Sequence, residues 1–71
     1  MKLIFDDSTD SLYIDLAPRP SAESREVANG VVADFDAQGR IVGIDIENAS
    51  ALLDLTRIES EHLPTKTRKA G

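Results

Sequence analysis

Apolar and polar residues alternate with a period of two through most of the first 47 positions. The clearest case is Val31 to Ser50, which reads as strand, tight turn, strand and the first turn of a helix. Val31, Ala33 and Phe35 fall on one side of a strand, and Val32 and Asp34 on the other. After the turn, Val42, Ile44 and Ile46 share one face, and Ile41, Gly43, Asp45 and Glu47 the other. Such patterning predicts an antiparallel sheet, apolar on one face and acidic on the other. Asp36-Ala37-Gln38-Gly39 supplies the connection. Asp suits the first position of a type I turn, and Gly39 can take the left-handed conformation that a short hairpin loop needs.

The same pattern places three further strands. Lys2–Phe5 is a short apolar run with Leu3 and Phe5 on one face. Asp6–Asp10 is a turn by composition. In Ser11–Leu16, Leu12, Ile14 and Leu16 point in, and Tyr13 and Asp15 point out. Pro18-Arg19-Pro20 then stops the sheet. Glu23–Ala28 precedes Asn29-Gly30, a strong hairpin signal because both positions tolerate positive φ. Glu23, Arg25 and Glu26 suit an edge strand, since they discourage pairing with other chains. Asn48 or Ser50 can cap a helix, and Leu52, Leu53, Leu55 and Ile58 come at helical spacing. Asp54 and Arg57, three apart, can pair on it. Pro64 ends any such helix. The expected fold is α+β: about five short antiparallel strands, in hairpins or a meander, covered on one face by a C-terminal helix. Residues 1–64 form one domain, and 65–71 a disordered basic tail.

Composition narrows the picture. A chain of 71 residues buries only about 60% of the surface that its unfolded form exposes. Without cysteine it has no disulfide and no thiolate zinc site. Oligomerisation is the remaining supplement, and a homodimer is expected. No apolar run approaches the ~18 residues of a membrane helix, and the first residues lack the basic start, long apolar run and small-residue cleavage site of a signal peptide, so none is expected. A cytoplasmic protein is expected. All thirteen acids lie in residues 1–64 with five bases, a net −8, and residues 65–71 add three bases, giving −5 overall. An acidic body repels phosphate backbones, so the folded part is not expected to bind nucleic acid.

The residues assembled so far resemble the small bacterial family catalogued as domain of unknown function 2283. The resemblance rests on Phe5-Asp6, Asp10-Ser11-Leu12-Tyr13-Ile14, the run Glu26 to Asp36, Gly39, Ile41-Val42-Gly43-Ile44-Asp45-Ile46 and Ala49-Ser50. It covers about residues 3–55 and departs at Ser11, where Ala is usual, and at Asn29, where Asp is common. It implies a fold but no activity, so no catalytic residue or cofactor carries over. Members are often encoded beside a small toxin-like protein, which implies an antitoxin-like role.

Several groups of residues invite chemistry. Asp6, Asp7 and Asp10 could form a hard-cation loop, but they lack the glycine and distal acid of a calcium hand, and turn chemistry accounts for them. Asp15, Asp34, Asp45 and Glu47 share the outward sheet face with Tyr13. Like charges on adjacent strands destabilise a sheet, so the cluster is a candidate docking face for a basic protein; the plainer reading is a solvated surface. A flat face offers no cleft for a glycosidase pair. Tyr13 stands among acids rather than bases, which suits a surface or dimer interface better than base stacking. His62 has no partner pattern. Lys66, Arg68 and Lys69 offer only weak, salt-sensitive contacts. The glycines are too far apart to cradle a phosphate. Two expectations follow. One is a non-enzymatic, antitoxin-like module that binds a basic partner through the acidic face or the helix. The other is a small-ligand or metal-binding protein with its site at a homodimer interface.

Overall fold

The computed structural model describes residues 1–64; the tail expected over 65–71 lies outside them. Five strands form one antiparallel sheet: β1 (Lys2–Asp6), β2 (Ser11–Asp15), β3 (Glu23–Ala28), β4 (Val31–Phe35) and β5 (Ile41–Ile46). Their spatial order is β1-β2-β5-β4-β3. A simple meander would set β2 beside β3. Instead β5 returns next to β2, and residues 16–22 run along the end of the sheet to the far edge. Hydrogen bonds anchor that link at both ends: the Leu16 and Ala17 N–H groups donate to the Val42 carbonyl, and the Ala22 N–H donates to that of Phe35.

The expected faces hold along most of the sheet. Ile44 pairs with Ile14 on one side and Ala33 on the other, while Asp45 pairs with Tyr13 and Val32. One position differs. A register shift after Asp34 sets Phe35 opposite Ile41, leaving Val42 without a partner in β4. Directly opposed residues share a face, so Ile41 joins the apolar side rather than the acidic one. The Asn29-Gly30 turn also differs, since among its two residues only Gly30 has positive φ (78°). A bulge between Glu26 and Ala28 takes up the mismatch in β3.

The helix is the main correction. α1 (Ala49–Leu52) is a single turn, and Leu53 is already extended (φ −126°, ψ 154°). The leucine stripe favours continuation, but Asp54 intervenes: its Oδ1 accepts both the N–H and the hydroxyl of Thr56. A side chain that bonds its own backbone two residues on competes with helix. Asp54 and Arg57 still approach to 3.9 Å, though not on a helix.

Neither expected cap operates. Asn48 occupies the N-cap position in a left-handed conformation and makes no side-chain cap bond. Asp10 caps the turn from just before the start of the neighbouring strand β2. Its carbonyl accepts the Ala49 N–H, and its carboxylate accepts the N–H and hydroxyl of Ser50. Asp10 itself is left-handed (φ 54°), which aims both groups at α1.

With so short a helix the core is thin. Leu12, Ala33, Val42 and Ala49 are its buried apolar residues. Leu3 and Phe5 remain 39% and 46% exposed on the apolar face. They border an open groove of about 590 Å³ with Leu12, Ile14, Leu53 and Leu55. At the opposite edge Arg25 closes the same face, its guanidinium 4.1 Å from the centre of the Phe35 ring.

Candidate functional site

The acidic face is built around Tyr13. From β2 its phenol reaches across β5 to β4, where the hydroxyl donates to Asp34 Oδ2 at 2.8 Å. The crossing depends on Gly43, which lies beneath the ring. A Cβ at that position would overlap the Tyr13 hydroxyl and Cζ. A glycine inside a strand often marks such a close approach. Ser24 of β3 donates to the other Asp34 oxygen at 2.6 Å. Hydroxyls from two strands thus hold one carboxylate over a third.

Asp15 and Asp45 flank this arrangement. Asp45 is directly opposite Tyr13, and Asp15 directly opposite Gly43. Among the described residues none of Asp15, Asp34, Asp45 and Glu47 forms an ion pair. The clustering acts on the tyrosine. Its pKa is pushed up to about 12, first by the hydrogen bond to Asp34, then by desolvation, then by the negative charges of Asp34, Asp15 and Asp45. A shallow groove of about 340 Å³ runs beside the ring, lined by Ile4, Asp6, Thr9, Ser11, Tyr13 and Asp45.

Four of the five residues expected at a partner face, Tyr13, Asp15, Asp34 and Asp45, are thus brought together. Glu47 is not tied into the group. It sits exposed just past β5, its N–H donating to the Gly30 carbonyl. Sequence reasoning missed Ser24, read only as part of a polar edge strand. It also missed Gly43's part, although the glycine in Val42-Gly43-Ile44 was the available signal.

A second acidic centre is structural. Asp36 is 5% exposed. One of its oxygens accepts the N–H groups of Gln38 and Arg40; the other accepts the guanidinium Nε of Arg19 at 2.7 Å and of Arg40 at 2.9 Å. Burial works against its ionisation, but the Arg40 N–H and guanidinium, then Gln38 and Arg19, outweigh it and hold the pKa down at about 2. Gly39 closes the turn with φ 82°, its N–H donating to the Asp36 carbonyl at 3.0 Å. The turn expected there forms. Its tie to Arg19, which fastens the β2–β3 link to the β4–β5 hairpin, spans 17 residues and has no local signal.

Asp6 and Asp10 are engaged in turn and cap bonds. Among the described residues no group of three or more His, Asp or Glu side chains is arranged to hold a metal ion. No helix among them is long and apolar enough to cross a membrane.

Fold and site together define a small α+β protein whose sheet presents an acidic face pinned by one tyrosine. The chain matches the family described as protein of unknown function (DUF2283) over residues 2–50, and it belongs to that family. The match ends at the start of α1, so it takes in the whole sheet, Tyr13, Asp34 and Gly43 included. No curated protein and no solved structure matches the chain.

Proposed function

We propose that this protein is a non-enzymatic interaction module of the bacterial cytoplasm. It acts as a homodimer and, in the manner of an antitoxin, masks a basic protein partner with the acidic face of its sheet. The observation that carries this reading is the cluster of Asp15, Asp34 and Asp45 on one face, Asp34 held by the hydroxyls of Tyr13 and Ser24, with no cation paired to any of the three among the described residues. Holding like charges together opposes folding. A basic surface would offset that repulsion and would be steered towards the face on approach.

The test is a complex with a basic protein at fixed stoichiometry whose affinity falls as salt rises. Asp15→Lys with Asp45→Lys leaves the Tyr13–Asp34 bond in place and should weaken binding by roughly tenfold or more. Unchanged affinity would remove the acidic face as the docking site.

The apolar groove favours a second reading. Its volume of about 590 Å³ falls within the usual range for small-molecule sites, and a homodimer interface beside it would extend it. A small apolar ligand there should raise the melting temperature, since a ligand at a hundred times its Kd adds about 2.7 kcal/mol of stability. A broad panel of apolar metabolites without any shift would count against it.

A further inference from the structure

The two edges of the sheet are built differently. β3 carries Glu23, Arg25 and Glu26 and is broken by a bulge, both of which blunt an edge against further pairing. β1 has neither bulge nor proline, and its register with β2 runs unbroken from Lys2 to Asp6. All five of its residues are exposed, with Ile4 at 47% and Phe5 at 46%. An edge of this kind presents alternate N–H and C=O groups to any strand that can match it.

The order of residues in β1 specifies the match. Lys2-Leu3-Ile4-Phe5-Asp6 runs cation, three apolar residues, anion. Reversed against itself about Ile4, the strand sets Lys2 opposite the second copy's Asp6, Leu3 opposite its Phe5, and Ile4 opposite its Ile4. A shift of one residue would set Leu3 opposite Asp6, joining the apolar face of one copy to the polar face of the other. We propose that β1 is the self-association edge of this protein, two copies pairing β1 with β1 antiparallel across a two-fold axis at Ile4. The pairing joins two five-stranded sheets into one continuous sheet. The apolar grooves of the two copies, each bordered by Leu3 and Phe5, meet along the seam. The acidic face cannot serve for self-association, because Asp15, Asp34 and Asp45 would meet their own like charges. A strand from another protein would have to supply the pattern that this chain already carries.

The proposal rests on the homodimer named above and not on the basic partner. The chain has no cysteine, so introduced thiols report cleanly. Residues directly opposite in an antiparallel pair have Cα atoms about 4.5–5.5 Å apart, within reach of a disulfide. Ile4→Cys should therefore oxidise to a covalent dimer. Lys2→Cys should not, because its two copies would lie about 14 Å apart along the strands, and Val27→Cys on β3 should not either. In sedimentation, Lys2→Glu should raise the dimer Kd about tenfold, since symmetry repeats the repulsion at both ends of the pair. Combining Lys2→Glu with Asp6→Lys should restore dimerisation. A wild-type dimer with no Ile4→Cys cross-link, or with equal cross-linking through Lys2→Cys, would overturn β1 pairing and leave the homodimer standing. Sedimentation as a monomer would overturn both.

Discussion

Asp34 and Asp36 lie two residues apart on one stretch of chain, yet they do opposite things. Asp36 is buried and receives two backbone N–H groups and two guanidinium groups. Every donor around it belongs to the turn or to the link that the turn fastens, so its charge is consumed in holding the fold. Asp34 receives only two neutral hydroxyls, from Tyr13 and Ser24. Its position is fixed but its charge is not neutralised. Hydrogen bonding and charge compensation are therefore separable. A carboxylate can be rigidly placed and still be open to a cation from outside, which is the condition for a preorganised docking group.

Substitutions at the two centres should separate these roles. The largest effect is expected at Asp36. Asp36→Ala leaves two N–H groups and two guanidinium groups without their acceptor, and should lower the melting temperature more than any single substitution on the acidic face. The effect should depend on pH. The folded pKa of about 2 lies below the ordinary value of 3.8, so the contribution is present above pH 3.8 and is lost as pH falls towards 2. Acid denaturation of wild type and Asp36→Asn should show it: the variant starts less stable and loses less stability across that window. Equal melting temperatures for wild type and Asp36→Ala would erase the contrast between the two acids.

Gly43→Ala comes next. The new methyl group competes with the Tyr13 phenol for the same space. Because the end of a side chain yields more readily than backbone, the ring should swing off Asp34. Tyr13 is the one tyrosine in a chain without tryptophan, so the absorbance of its phenolate follows this directly. The wild-type transition should lie near 12 and fall back towards 10 in the variant. The linked stability has the opposite sign to that of Asp36. A raised folded pKa stabilises fully below pH 10, and that stability is lost as pH rises through 12. An unmoved transition in Gly43→Ala would break the account of the glycine.

Tyr13→Phe should be milder, removing one hydrogen bond worth about 1 kcal/mol while leaving the carboxylates in place. Asp45→Asn should be smallest for the isolated protein, within about 0.5 kcal/mol, with a slight downward drift of the tyrosine transition. Urea unfolding of the two variants would read both values.

The strands, the turn at Asp36–Gly39 and the split into apolar and acidic faces were legible, because side-chain period and turn chemistry are local properties. The order of the strands was not, because nothing in residues 16–22 states that the chain crosses to the far edge. The helix was over-read for a similar reason. The stripe of Leu52, Leu53, Leu55 and Ile58 satisfies helical spacing, and the competing bond from Asp54 to Thr56 decides the outcome. Asp10 was read as turn chemistry, and it is that. Its second task, capping α1 forty residues away, needed the fold. Within the site, the pattern put Tyr13, Asp15, Asp34 and Asp45 on one face but could not show that Tyr13 crosses Gly43 to reach Asp34. The strand glycine was the residue that could have suggested it.

Docking of a basic partner on the acidic face can be tested directly. The most direct measurement is a side-by-side purification from the native host of tagged wild type and tagged Asp15→Lys/Asp45→Lys, with bound proteins identified and the mass of each complex determined. One basic protein at fixed stoichiometry is expected with wild type, absent from the variant although circular dichroism shows the variant still folded. The same partner retained by both proteins, or the homo-oligomer alone recovered with wild type, would contradict it.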